Sequence, residues 1–217
     1  MIFDLDGTLI DTEPLSTKSI QRCLDKYNVQ FPGNDVKRLI VGLPGLVWTK
    51  IVIDACGLND VLDPQQFLND WEKSLNDIAD EDGIAKMKGA DDITRLIASK
   101  GIPMAIATSS RRESVMKKKK LHEDMFNRMN VIVCGDDVVN GKPAPDIFIL
   151  AASKLGVSPE NCLVFEDSLS GVIAGRRAGV TVVAIPDPLL VSDLSPFYQE
   201  TPHVIRDLTE WNIDISK

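Results

Sequence analysis

The sequence predicts an α/β protein: a parallel sheet covered on both faces, with one all-helical insert. Three observations carry that class. From about residue 89 onward, helix-period and strand-period stretches alternate. The strand stretches are continuous apolar runs, as expected of strands buried on both faces. Residues 14–80, in contrast, show only helix-period segments.

The elements follow in order. "MIF" leads into Asp4 and reads as a first strand with a short run-up. A central strand usually runs about five or six residues. The chain is therefore expected to begin naturally a few residues earlier, or else to have a central strand short at its N-terminal end. "LSTKSIQRCLDKYNV", "GLVWTKIVIDACG" and "PQQFLNDWEKSLNDIAD" have helical spacing and no strand between them. "ADDITRLIASKG" is a helix with a glycine stop, "IPMAIAT" a buried strand, and "RRESVMKKKKLHEDMF" a helix. Then come "NVIVCGDD" (strand), "APDIFILAASKLG" (helix), "NCLVFEDS" (strand), "LSGVIAGRRAG" (helix) and "VTVVAIPDP" (strand). "HVIRDLTEW" closes with a short strand and helix. Two units are expected: residues 1–13 with 81–217 as the sheet domain, and residues 14–80 as the helical insert.

Composition narrows the function classes. The 217 residues are 44% hydrophobic and 26% charged, which suits a globular chain with a full core. No run of about 18 apolar residues exists, so no membrane span is expected. No charged start followed by an apolar segment and a small-residue cleavage site opens the chain, so a cytoplasmic protein is expected. The four cysteines are scattered and read as reduced, buried thiols. A net charge of −8 argues against nucleic acid as a partner. The two histidines, His122 and His203, stand far apart, which argues against a His-based triad or a His-rich zinc site.

The chemistry gathers at one sheet edge. In an open parallel sheet, ligands bind beyond the carboxyl ends of the strands, where strand order reverses. Asp4 and Asp6 follow the first strand, and Thr108, Ser109 and Ser110 the second. Gly141 and Lys142 follow the third, and Glu166 and Asp167 the fourth. Any one of these could be a plain helix cap or a solvated loop residue. Four carboxylates, three hydroxyls and a lysine at one edge form a site. Two carboxylates as close as Asp4 and Asp6 resist joint ionisation, so the pair reads as a metal site or as partners with split acid and base roles.

"DLDGTLIDTE", "ATSS", "GKPAPD" and "FEDS", in that order, resemble the four motifs of the haloacid dehalogenase superfamily. More narrowly, they are similar to its magnesium-dependent phosphatases with a helical cap inserted after the first motif. The resemblance covers the whole chain and implies a Rossmann-like core with residues 14–80 as the cap. It implies Asp4 as nucleophile, forming an aspartyl-phosphate, and Asp6 as the acid and base for the leaving group and the water. Asp6 is then expected to be neutral when substrate binds. Mg²⁺ would be held by Asp4, the Asp6 carbonyl and Asp167, with Glu166 a ligand or one shell out. Thr108, Ser109, Gly7 and Lys142 would hold the phosphoryl group. Cap closure is expected to hinge near Thr12–Pro14 and Asp80–Gly83.

Lys117–Lys120 invites a nucleic-acid reading, but four consecutive helical residues fan over about 300° and cannot form one stripe. Most must face solvent, while one of them, or Arg111, can face the site. Gly42–Leu43–Pro44–Gly45 reads as a cap loop facing the catalytic edge, with Gly42, Leu43 and Trp48 as candidates for substrate specificity. Trp48 and Trp71 also suit the cap's own core. The expected substrate is a small phosphorylated metabolite (sugar, polyol or nucleoside), handled by a monomer. Within the superfamily, the core motifs look most like the pseudouridine-5′-phosphatase and glycerol- or sugar-phosphate phosphatase group. The alternative is a β-phosphoglucomutase-like phosphotransferase, against which the cap stretch "VGLPGLVWTK" offers no arginine. A catalytically silent member would lack the nucleophile, the lysine or a metal acid, and all are present.

Overall fold

The structure is a computed structural model that describes residues 1–41, 43 and 45–211. It divides into two compact units. One comprises Met1–Asp11, Ala85–Pro188 and Asp193–Lys217, and the other Thr12–Ile84 with Leu189–Ser192.

The first unit is the sheet domain. Its strands are β1 (Ile2–Phe3), β4 (Ala105–Ala107), β5 (Val131–Val133), β6 (Leu163–Glu166), β7 (Thr181–Ala184) and β8 (His203–Val204). Two more, β2 (Ile10–Asp11) and β3 (Ala85–Lys86), form a separate antiparallel pair. The main sheet runs β5-β4-β1-β6-β7-β8 with every pairing parallel. Strand order therefore reverses at β1, where the sequence predicts the ligand edge. Register decides what meets there: Phe3 pairs with Ile106 on one side and Phe165 on the other. The next residues up, Asp4 and Glu166, stand side by side, with Ala107 and Thr108 flanking.

β1 spans the two residues Ile2 and Phe3 and is fully sealed. Ile2 and Phe3 have no exposed surface, and Phe3 stacks on Phe165 at 4.9 Å. Burying each such side chain contributes about 1.5–3 kcal/mol. The Met1 carbonyl accepts from the Ala105 N–H (3.0 Å), extending the ladder by one residue. Helices α5 (Ala90–Ser99), α6 (Arg112–Leu121), α7 (Glu123–Phe126), α8 (Asp146–Leu155), α9 (Leu169–Ala178) and α10 (Ser195–Glu200) complete this unit. The stretch expected to be one helix over "RRESVMKKKKLHEDMF" breaks at His122, whose φ of −135° and ψ of 40° leave the helical region.

The second unit is all helical: α1 (Glu13–Asp25), α2 (Asn34–Ile40), α3 (Gly45–Ala55) and α4 (Pro64–Asp82). Pro64 suits the first helical position of α4, and the Asp63 carboxylate caps it by accepting from the Gln65 and Gln66 amides. Ile20, Leu24, Val52, Ile53 and Phe67 form its core. Trp48 packs edge-on against Phe67 (6.0 Å) and Trp71 (5.1 Å). The Trp71 indole N–H donates to the Ser16 carbonyl at 3.3 Å. Lys37 is buried there, its ammonium satisfied by Glu13 (2.8 Å) and the Thr17 hydroxyl (2.7 Å). Among the described residues, no helix is long and apolar enough to cross a membrane.

Candidate active site

Asp4 directly follows β1, its N–H donating to the Phe165 carbonyl (2.9 Å), so the sheet edge fixes its backbone. The Lys142 ammonium donates to Asp4 Oδ1 at 2.5 Å and to Glu166 Oε2 at 2.7 Å. All three side chains are at least nine-tenths buried. Lys142 reaches them from the loop before α8. That loop is pinned by Arg177, which donates to the Pro143 carbonyl (2.9 Å), and the Phe148 ring lies 5.1 Å from the ammonium. Glu166 is held from its other side: its Oε1 accepts from the Ser168 hydroxyl (2.7 Å) and amide (3.1 Å).

Asp167 completes the group. Ligand oxygens of Asp4, Glu166 and Asp167 all lie within 4.8 Å of one another. The loop after β1 folds over Asp167, with the Thr8 hydroxyl donating to its Oδ1 at 3.3 Å. Gly7 makes this possible. Its φ is +83°, and a Cβ there would overlap the Asp167 carboxyl. The Gly7 N–H donates to the Ile10 carbonyl (2.8 Å), closing the turn.

Electrostatics follow from three carboxylates sharing one lysine. Burial pushes the Asp4 carboxyl up to about 7, against the pull of Lys142; Glu166 and Asp6 add to the rise. Burial also raises Asp167 well above the carboxylate range, with the charges of Glu166 and Asp4 adding to it. Burial works against the charge on Lys142, but Asp4 and Glu166 outweigh it and hold the ammonium above the ordinary lysine range. An excess of buried negative charge lined by oxygen donors fits a hard divalent cation. Both Glu166 oxygens already accept hydrogen bonds, and Asp4, Glu166 and Asp167 each offer an oxygen to a cation.

Asp6 points into a different set of partners. Its Oδ2 accepts from the Ser110 hydroxyl at 2.7 Å and more distantly from Thr108 Oγ1 at 3.4 Å. Its Oδ1 pairs with Lys118 at 2.6 Å. Thr108 is buried and its Oγ1 also accepts from the Ser110 amide (3.0 Å), while Ser109 between them is exposed. Of the Lys117–Lys120 run, Lys118 is thus the residue that turns inward. Arg111, at the start of α6, is exposed. The apolar phase of α6 held the signal for Lys118: Val115, three residues earlier on the helix, is buried on the same face. Leu43 and Trp48 belong to the helical unit, where Leu43 is exposed and Trp48 packs as described. Gly42 lies outside the described residues.

A model of the family described as "Haloacid dehalogenase-like hydrolase" matches residues 1–185. The chain belongs to that family. It is 35% identical over 195 residues to "(DL)-glycerol-3-phosphatase 1, mitochondrial" of Arabidopsis thaliana, a match covering 88% of this chain and 64% of that protein. The chain thus spans just under two thirds of that relative. It is 36% identical over 199 residues to "Probable pseudouridine-5'-phosphatase" of Drosophila melanogaster, covering 87% of this chain and 82% of that one. Among solved structures, a "HAD hydrolase, family IA, variant 3" from Entamoeba histolytica superposes with a TM-score of 0.80 at 25% identity. That superposition covers 98% of this haloacid dehalogenase-like hydrolase and 95% of the other chain. These curated relatives are phosphatases by name, and the fold class expected from the pattern is the family's own.

Proposed function

We propose that this hydrolase cleaves a small phosphate monoester (of a sugar, polyol or nucleoside) in a Mg²⁺-dependent reaction through an aspartyl-phosphate on Asp4. The observation that carries the reading is the buried Asp4–Lys142–Glu166 cluster, with Asp167 beside it, at the switch point of the sheet. Asp4, Asp167 and the Asp6 carbonyl would hold Mg²⁺, which when bound offsets the negative charge of phosphate and carboxylates. A phosphate dianion with Asp4, Glu166 and Asp167 sums formally to about −5, of which Lys142 returns one and Mg²⁺ two, so both cations are needed.

Asp4 Oδ attacks phosphorus as the bond from phosphorus to the leaving oxygen breaks. The electron pair of that bond goes to the leaving oxygen, which takes the proton of Asp6. Asp6, now a carboxylate, takes a proton from water as the water oxygen attacks the phosphorus. The bond from phosphorus to Asp4 then breaks, restoring the Asp4 carboxylate and a protonated Asp6. Lys142 holds Asp4 in place, and Glu166 orients Lys142. Thr108 and the Ser109 amide are assigned to the phosphoryl oxygens. In this reading the helical segment, residues 14–80, is the cap that selects the substrate.

The test is release of free phosphate from a panel of sugar, polyol and nucleoside phosphates, with Mg²⁺ and with chelator. Asp4→Asn should abolish turnover with the fold intact. Wild-type turnover by that variant, freed of contaminating phosphatase, would remove Asp4 as nucleophile. An isomerised sugar phosphate in place of free phosphate would instead indicate a mutase.

A further inference from the structure

We propose that Lys118 is a positioning residue for the Asp6 carboxyl, an inference that rests on the assignment of Asp6 to proton transfer at the leaving oxygen. The Lys118 side chain is 8% exposed. A buried ammonium is costly unless its donors are used. Here they go to Asp6 Oδ1 at 2.6 Å and to the Ser110 hydroxyl oxygen at 3.0 Å. Ser110 in turn donates to Asp6 Oδ2 at 2.7 Å. The three side chains close a ring that grips both oxygens of one carboxyl, from the second turn of α6 and from the loop after β4.

The two aspartates of the first motif therefore have separate cations. Lys142 serves Asp4 and Glu166, and Lys118 serves Asp6. A proton donor acts only when held within hydrogen-bond reach of the oxygen it serves, so fixing the Asp6 carboxyl is part of the chemistry. The same grip receives Asp6 when it has given up its proton and before it takes one from water.

The leaving group separates this role from a merely structural one. An alkyl ester departs poorly without a proton, whereas p-nitrophenolate is a stable anion and needs none. Lys118→Gln should therefore lower kcat/KM, which reports transfer to Asp4 and not the hydrolysis step shared by all esters, on glycerol 3-phosphate, or on the fastest alkyl ester of the panel, more than on p-nitrophenyl phosphate. The expected fall in the alkyl-to-aryl ratio is at least about tenfold, within the range a general acid contributes. Lys118→Arg, which keeps the cation, should recover part of the ratio. Equal losses on both esters, or no loss, would overturn the inference. Asp6→Asn on the same two esters keeps the two assignments apart. A ratio unchanged in Asp6→Asn removes Asp6 as the acid, and the inference with it. A ratio that collapses there but holds in Lys118→Gln removes Lys118 alone. Should Lys118→Gln fail to unfold cooperatively, Ser110→Ala, which deletes the other short bond, must lower the ratio, and an unchanged ratio again overturns the inference.

Discussion

Gly171, in the first turn of α9, lies against the Glu166 carboxyl so closely that a Cβ on it would overlap the Glu166 side chain. The cap of α9 explains the approach. Ser168 accepts from the Gly171 amide at 3.1 Å while donating its hydroxyl to Glu166 Oε1, so the helix start and the carboxylate share one side chain. Gly171→Ala must push Glu166 off Lys142 or unwind that first turn. Overpacking of this kind costs about 1–3 kcal/mol. Denaturant unfolding should show a loss of that size together with a fall in phosphate release. An alanine variant with unchanged stability and turnover would show that the contact relaxes freely.

Lys142 is the counter-charge to two buried carboxylates. Removing one partner of a buried pair costs about 3–5 kcal/mol, because the remaining charges are left uncompensated. Lys142→Met, which keeps much of the volume, should lose stability of that order in chelator and should lose turnover. Because Asp4 can then be protonated at little cost, the loss should shrink as the solution is acidified. A loss that grows on acidification would contradict the electrostatic account.

The helical unit has its own test in Trp71. Its indole contacts Trp48 edge-on and donates to the Ser16 carbonyl of α1. The Trp71 carbonyl accepts from the Ser19 hydroxyl (2.8 Å), which ties α4 to α1 a second time. Large-to-small changes in packed cores cost about 3–5 kcal/mol for tryptophan, and the partial exposure of Trp71 places it toward the lower end. Trp71→Ala should unfold earlier in denaturant, whereas Trp71→Phe, which keeps one aromatic ring but loses the N–H and part of the packed volume, should lose less than Trp71→Ala.

The sequence exposed the site's edge better than its internal wiring. Strand ends were legible because continuous apolar runs stop at Asp4, Thr108 and Glu166, and parallel topology brings those ends to one line. The helix α2 was not foreseen: seven residues give two turns, too few for a periodic signal. The β2–β3 ladder is two residues long on each side, below any pattern. The sequence narrows the inward cation only to one of Lys117–Lys120 or Arg111, since identical side chains carry no phase of their own and the buried Val115 supplies it only once the helix is fixed. The break at His122 was hidden for a related reason: the apolar spacing continues through "LHEDMF" while the backbone turns.

Metal-free stability should fall as pH rises across the site's titration. Asp4 has a folded-state value near 7 against an ordinary 3.8, so the folded state holds a proton that the unfolded state has already lost. Stability from this group is full below about pH 4 and is lost as pH rises to about 7. Asp167, also raised, acts in the same direction. Asp91 and Asp207 act oppositely. For Asp91, burial raises the value, but bonds from Lys86 and Arg128 outweigh it and bring it down to about 2. Asp207, held chiefly by Lys88 and Thr209, is also lowered to about 2. Their contribution is present above about pH 4 and lost toward pH 2, so the windows separate. In the proposed function a divalent cation would bind the ionised form of Asp4 and Asp167, and binding to the folded state alone raises its melting temperature. Saturating Mg²⁺ should therefore raise Tm more at about pH 8 than at about pH 5, measured against chelator at each pH. Asp4→Asn should flatten most of that difference. A Mg²⁺ shift equal at both pH values, or larger in acid, would show that the cation binds elsewhere.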